Sequence, residues 1–149
     1  MHLTLEADYA VRIVDKLAIK NKKMGAQSIA EQTNVPLRFA LKILRKLVAC
    51  GAVKSYKGAH GGYIIAKDPK EITLREIIEA VEGPFMISRC QQDDYCCCNQ
   101  ASCRVHNIYA EISLMVRDKL ESYNFSNFTK YGQLPCTDEE QLEASNTYK

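Results

Sequence analysis

Residues 26–50, AQSIAEQTNVPLRFALKILRKLVAC, predict two helices joined by a short turn. The second helix runs from Leu37 to about Cys50, and its apolar residues recur at helical spacing on one face: Ala40, Ile43, Leu44, Leu47 and Val48. Pro36 suits the first turn of that helix, and Gly51 suits its C-terminal cap. Two helices joined by such a turn are typical of a helix-turn-helix, whose second helix offers its early residues to the major groove of DNA.

The sequence on either side completes a winged helix. An amphipathic pattern from Leu3 to about Ile19 predicts a helix before the pair, and Thr73 and Glu76 form a capping-box pattern that opens another helix, about 74–82. After the helix pair and before the helix at about 74–82, residues 52–66 predict two short strands around a glycine-rich turn. Lysine and histidine near that turn favour a DNA-contacting wing, and the alternative is a plain hairpin with an incidental lysine.

A long helix is predicted from Cys103 or Arg104 to about Tyr123. Its apolar residues form one stripe: Val105, Ile108, Tyr109, Ile112, Met115, Val116 and Leu120. A lone helix cannot bury this stripe, so we expect it to pack partly against the first helix and mainly against a second copy in a two-fold dimer. Residues 135–149 are acidic and polar and predict a flexible tail.

Charge is divided unequally along the 149-residue chain. Residues 1–70 carry 13 Lys and Arg against 5 Asp and Glu, whereas residues 71–149 carry 7 against 13. A basic N-terminal half suits a polyanion such as double-stranded DNA, because Lys and Arg replace its condensed counterions. We expect a cytoplasmic protein that does not enter membranes, since the N-terminus lacks the apolar core of a leader and no run is long enough to span a bilayer.

Five of the seven cysteines fall between Cys90 and Cys103, and His106 follows three residues later. In a reducing compartment such a cluster more often binds metal than forms disulfides. The donor set predicts either an iron–sulfur cluster or a structural zinc ion held by three cysteines and His106. No Cys-x-x-Cys or nucleophile–base arrangement is present, so an enzyme is not expected.

Together these motifs resemble the IscR/NsrR/RirA/CymR family of winged-helix repressors. The resemblance spans residues 1 to about 134 and is carried by LTLEADYAVR (3–12), VKSYKGAHGGYIIA (53–66), ITLREIIEAVEGP (72–84) and the cysteine loop. It implies a cytoplasmic homodimeric regulator that binds a pseudo-palindromic operator. It also implies that a bound iron–sulfur cluster sets DNA affinity by sensing cluster supply, iron, nitric oxide or redox state.

The resemblance implies three cysteine ligands with five residues between neighbours. Cys90 and Cys96 match the first gap, whereas Cys97 and Cys103 match the second, so the middle ligand is Cys96, Cys97 or Cys98. For the fourth ligand, His106 matches relatives with a 2Fe-2S cluster. Asp8 matches relatives in which the partner subunit supplies an aspartate to a 4Fe-4S cluster.

The predicted organisation is a winged helix-turn-helix domain (1–83), a cysteine-rich cluster-binding loop (84–103), a dimerisation helix with its C-terminal segment (104–134) and the tail. The metal ligands are Cys90, Cys96, Cys103 and His106, with Cys97, Cys98 and Asp8 of the partner subunit as alternates. The predicted DNA-binding residues lie on both helices of the pair and on the wing: Gln27, Ser28, Arg38, Phe39, Lys42, Lys46, Lys57, His60 and Gly61.

Overall fold

The computed structural model describes residues 3–92, Tyr95 and residues 102–132, which contain five α-helices and one two-stranded antiparallel sheet. In chain order these elements are α1 Leu5–Lys20, α2 Ala26–Thr33, α3 Leu37–Ala49, β1 Val53–Tyr56, β2 Gly62–Ile65, α4 Leu74–Glu82 and α5 Arg104–Glu121. The predicted fold class, mainly α with a small β-hairpin, is confirmed. Cys96, Cys97, Cys98 and the predicted tail lie outside the described residues.

Polar residues and one proline set the ends of the first three helices. Thr4 caps α1 by accepting a hydrogen bond from a backbone N–H of the first turn. Helices α1 and α2 end at asparagines in the left-handed conformation, with φ of 43° at Asn21 and 52° at Asn34. Pro36 was predicted in the first turn of α3 but is its N-cap, one residue before the helix. Its carbonyl oxygen accepts a hydrogen bond from the Ala40 N–H at 3.0 Å.

The core lies between α1, α3 and α4, with α2 and the hairpin at its sides. Four residues of the predicted α3 stripe are buried: Ala40, Ile43, Leu44 and Leu47. Val48 is half-buried and packs against the same core. Burying an Ile or Leu side chain stabilises the fold by about 1.5–3 kcal/mol, so one face of α3 is held firmly inward.

The hairpin is joined by a third segment, the linker between α1 and α2. In the sheet Tyr56 lies opposite Gly62, and Met24 of the linker exchanges two backbone hydrogen bonds with Tyr63 of β2, at 2.8 and 2.9 Å. Gly62 has φ of +142°, and a Cβ atom there would lie 2.6 Å from the Met24 carbonyl oxygen. Because glycine has no side chain, the linker backbone can approach β2 this closely at Gly62.

Helix α4 has the predicted bounds, but only the threonine half of its capping box is formed. The Thr73 hydroxyl accepts from the Glu76 N–H at 3.1 Å. The Glu76 carboxylate binds the Lys67 ammonium at 2.6 Å instead of turning back to Thr73. A charged donor binds a carboxylate more strongly than a neutral N–H does, and this pairing raises the pKa of Lys67.

Helix α5 packs against α4 and leaves much of its apolar stripe uncovered; the expected packing against α1 is at most slight. Only Ser113 of α5 is buried, whereas Val105, Ile108 and Met115 are 52%, 53% and 61% exposed. After α5 the chain returns to the core at Phe125, which is buried. Among the described residues no helix combines the length and apolarity that crossing a membrane requires.

We expect Gly62→Ala to destabilise the protein more than Gly51→Ala does. Both glycines have positive φ, but a Cβ at Gly51 meets no atom within 4 Å. Gly51→Ala therefore costs about 1–2 kcal/mol of conformational strain, and Gly62→Ala adds about 1–3 kcal/mol for the collision with Met24. Urea unfolding measures the difference, and equal destabilisation by the two substitutions would show that linker and wing are not in tight contact.

Candidate nucleic-acid interface and metal centre

The early residues of α3 divide between the surface and the core. Arg38 is exposed, and its guanidinium carbon lies 4.9 Å from the centre of the Phe39 ring. Phe39, also a predicted DNA-binding residue, is half-buried, and its ring meets the Tyr9 ring of α1 edge-on at a centroid distance of 6.2 Å. Aromatic packing of this kind holds the start of α3 against α1 and positions Arg38 above it.

Two predicted DNA-binding lysines of α3 form ion pairs with α1. The Glu6 carboxylate binds the Lys42 ammonium at 3.0 Å and the Lys46 ammonium at 2.7 Å. Lys46 also donates to the carbonyl oxygen of Val81 in α4, at 2.9 Å. The hydrogen bond from Lys46 is the main reason that the pKa of Glu6 lies below its ordinary value. These contacts leave Lys42 on the surface and hold Lys46 at the junction of α1, α3 and α4.

The predicted residues of α2 and of the wing are mostly exposed. Gln27 donates to Glu31 at 2.8 Å, and the half-buried Ser28 accepts from a glutamine one turn later. Lys57 and His60 are exposed beside the wing turn. The Gly61 N–H closes that turn by donating to the Gly58 carbonyl oxygen at 2.9 Å, and a Cβ at Gly61 would collide with backbone atoms. Gly61 thus shapes the wing without offering a side chain.

Cys90 is held in a short 3₁₀ turn, Arg89–Gln91, that is hydrogen-bonded to α5. Gln91 and Ser88 form a capping box around this turn. The Ser113 hydroxyl donates to the Gln91 side-chain oxygen at 2.9 Å and accepts from the Ile87 N–H at 3.1 Å. Sequence reasoning missed Gln91 and Ser113, although the Ser-x-x-Gln spacing is a capping-box pattern that indicates the first of them.

Cys103 and His106 lie at the start of α5, and both are half-buried. Cys103 is the N-cap, and the histidine lies in the first turn, beside a cleft of about 330 Å³ lined also by Phe85, Gln91, Ser113 and Arg117. The Nδ1 atom of His106 is buried and has no hydrogen-bond partner among the described residues. A buried polar atom without a partner is costly, and a neutral imidazole nitrogen is a common metal ligand.

Within residues 3–92, Tyr95 and residues 102–132, no three His, Cys, Asp or Glu side chains form a cluster suited to hold a metal. The three candidates for the middle ligand, Cys96, Cys97 and Cys98, lie outside these described residues. Asp8 lies in the first turns of α1 and forms an ion pair with Arg12 at 2.7 Å, and its side chain is 44% exposed. The Asp8 carboxylate is therefore accessible from the surface of the chain.

Glu79 of α4 joins the helix to α5 and to the start of the cysteine segment. Its carboxylate accepts from Arg117 of α5 at 2.6 and 3.2 Å, from Arg75 at 3.3 Å and from the Phe85 N–H at 3.4 Å. Burial favours the neutral acid, but the hydrogen bonds from Arg117 and Phe85 and the nearby guanidinium charge outweigh it. The pKa of Glu79 is therefore lower than its ordinary value of 4.5.

Comparison with known proteins shows which family the chain belongs to. Residues 3–131 match the family described as "Rrf2: Iron-dependent Transcriptional regulator". The chain belongs to the Rrf2 family. It is 28% identical to the HTH-type transcriptional regulator NsrR of Shouchella clausii, over 83% of this chain and 85% of the relative.

Solved structures agree with this assignment. The fold matches CymR, the global cysteine regulator of B. subtilis, with a TM-score of 0.71 and 25% identity over 89% of this chain and 99% of that chain. It also matches IscR of T. potens, with a TM-score of 0.70 and 21% identity over 95% and 96% of the two chains. The hairpin is thus the wing of a winged-helix regulator. This Rrf2 protein is a DNA-binding transcriptional regulator and not an enzyme.

We expect Glu79→Gln to lower the free energy of unfolding by about 1–3 kcal/mol at pH 7, because two arginines lose their charged acceptor. The depressed pKa makes this stability complete above the ordinary pKa of a glutamate, and it is lost as the pH falls through the folded-state value. The stabilities of the two proteins in urea should therefore converge as the pH falls below 4.5, the ordinary pKa of the group.

An exposed α5 glutamate supplies the control. Glu111→Gln removes one surface charge from the same helix and should change the free energy of unfolding by at most about 0.5 kcal/mol. A Glu79→Gln variant as stable as wild type at pH 7, or one whose deficit persists in acid, would contradict this role for the carboxylate.

Proposed function

We propose that this Rrf2 protein is a homodimeric repressor whose operator affinity is controlled by an iron–sulfur cluster that senses cluster supply, iron, nitric oxide or redox state. The observation that carries the proposal is the buried Nδ1 of His106, which lies three residues after Cys103 without a hydrogen-bond partner among the described residues. The family description as iron-dependent supports a metal in this role. A cytoplasmic location suits both DNA binding and reduced thiols.

The proposed ligand set is the one that the family resemblance implies. Cys90 and Cys103 are the outer ligands, and the middle ligand is Cys96, Cys97 or Cys98. The fourth ligand is His106 for a 2Fe-2S cluster or Asp8 of the partner subunit for a 4Fe-4S cluster. When bound, either cluster supplies redox-active iron, and its histidine or carboxylate ligand leaves one iron more labile than four thiolates would.

A continuous set of contacts connects this loop with the DNA-reading helix. Gln91 and Ser113 hold the Cys90 turn on α5, and Arg117 of α5 binds Glu79 of α4. At the end of α4, the Val81 carbonyl oxygen accepts from Lys46 of α3. We infer that metal binding by the cysteine loop moves the residues that make these contacts. That movement would change the relative position of the two α3 helices in the dimer.

The uncovered stripe of α5 supports the homodimer. Val105, Ile108 and Met115 are each more than half exposed in one protomer, and a second α5 packed across a two-fold axis would bury them. Such an axis places two recognition helices about 34–36 Å apart, the spacing of half-sites one DNA turn apart. A pseudo-palindromic operator matches that symmetry.

Structural zinc is the second candidate, because three cysteines and His106 form a plausible tetrahedral set and the buried Nδ1 suits zinc equally well. The protein would then be a zinc-stabilised DNA-binding or adaptor protein without cluster sensing. Iron, zinc and acid-labile sulfide per subunit, measured on protein purified without oxygen, separate the two. Zinc without sulfide, with no cluster uptake on reconstitution, would overturn the sensing proposal.

We expect Cys90→Ala and Cys103→Ala to abolish the visible absorption of the cluster and the response of operator affinity to oxidants. Cys50→Ala is the matched control, since its thiol lies at the end of α3 and donates to the Leu47 carbonyl oxygen. About two iron and two sulfide per subunit, lost in His106→Ala, would assign the histidine ligand. About four of each, lost in Asp8→Ala, would assign the aspartate of the partner subunit.

We expect Ile108→Glu to convert the dimer to monomers in analytical ultracentrifugation, because it sets two charges against each other in an apolar contact. Asn107→Glu adds the same charge one position earlier on an exposed part of α5 and should leave the dimer intact. If both variants remain dimeric, the α5 stripe is not the interface. Circular dichroism checks that each variant keeps its helices.

A further inference from the structure

The linker between α1 and α2 brings a lysine onto the wing. Met24 of the linker is hydrogen-bonded to Tyr63 of β2, so the preceding residue, Lys23, lies beside the hairpin. Gly62 has no side chain and so leaves room for the Lys23 side chain. A Cβ atom at Gly62 would lie only 3.2 Å from Cγ of Lys23. The Lys23 ammonium lies 5.2 Å from the centre of the Tyr56 ring. Backbone pairing, a glycine and an aromatic ring thus hold one lysine in place.

The surroundings of Lys23 contain few acids. Residues 16–67 include 11 Lys and Arg but one acidic residue, Glu31. Three other lysines of this part of the chain form ion pairs, Lys42 and Lys46 with Glu6 and Lys67 with Glu76. Within the described ranges, no carboxylate forms an ion pair with Lys23. Its charge is available to an external anion.

We propose that Lys23 is a further DNA contact of this regulator and binds a phosphodiester group of the backbone beside the wing. Tyr56 directly precedes Lys57, the residue through which the wing is predicted to reach DNA, so a lysine held on the Tyr56 ring lies on the same part of the hairpin. The inference rests on this predicted role of the wing in DNA binding. Lysine is a compact point charge without a forked donor set, and this chemistry suits phosphate more than base edges.

The role of Tyr56 is to position the ammonium. A lysine side chain that is already ordered loses less conformational freedom when it binds a phosphate. The ring is 52% exposed, so its face can hold the cation without burying it. Binding through phosphate also makes a clear prediction: Lys23 should contribute equally to operator and non-operator DNA and independently of the metal.

The test is a salt titration of the full-length dimer with a mixed-sequence duplex of about 30 base pairs, followed by fluorescence anisotropy. We expect Lys23→Gln to flatten the dependence of log K on log salt by about 0.9 for each phosphate that is no longer neutralised, or about 1.8 for a dimer. Lys119→Gln is the matched control, because that α5 lysine also lies over a tyrosine ring, Tyr123, at 5.0 Å. Its slope should equal that of wild type.

Three further variants separate the outcomes. Tyr56→Leu keeps the Lys23 charge and should keep the slope while weakening binding about twofold to fivefold, whereas Tyr56→Phe should bind as wild type. Lys57→Gln tests the wing itself. A flattened slope in Lys57→Gln with an unchanged slope in Lys23→Gln would overturn the Lys23 proposal alone, and unchanged slopes in both would overturn the placement of the wing. Unfolding in urea verifies that each variant is folded.

Discussion

Burial of one face of α3 is the constraint on which the rest of the molecule depends. Ile43, Leu44 and Leu47 are fully buried, so the rotation of the helix about its own axis is fixed by packing against α1 and α4. Fixing that rotation leaves Arg38 on the outside, where a recognition helix needs charge. The same packing brings the end of α4 against α3, and through it the segment that carries Cys90. The recognition helix and the segment that carries Cys90 are therefore connected through the same hydrophobic core.

Charged groups at the edges of this core connect elements that are distant in sequence. Glu6 binds two lysines of α3, and Glu79 binds arginines from both α4 and α5. Each carboxylate is partly shielded from water, so these contacts are less screened than ion pairs on an open surface. They connect α1 with α3 and α4 with α5, and so fix the positions of these helices relative to one another.

The cysteine segment differs from the core in what holds it. Gln91 and Ser113 anchor its first turn to α5 through hydrogen bonds, and Cys103 marks the point where α5 begins. The proposed cysteine ligands lie at and between those two points in the sequence. The buried Nδ1 of His106 is consistent with a site completed by an external group, since a core built for packing alone would pair that atom. Dimer formation and metal binding would then both act on α5.

The sequence by itself determined the helices, the hairpin and the cysteine cluster, because periodicity, caps and turn residues act over a few neighbouring positions. The bounds of α4 and the buried face of α3 were predicted on that basis, whereas the family was indicated by the resemblance of whole motifs and the cysteine loop to known regulators. Only the tertiary structure decided which side chains meet across the fold. Phe39 packs on Tyr9 and Lys23 reaches the wing. Lys46 is held by Glu6, forty residues earlier in the chain. Such pairings depend on how the helices pack in space. A pattern within a few neighbouring residues does not indicate which distant residue a side chain will contact.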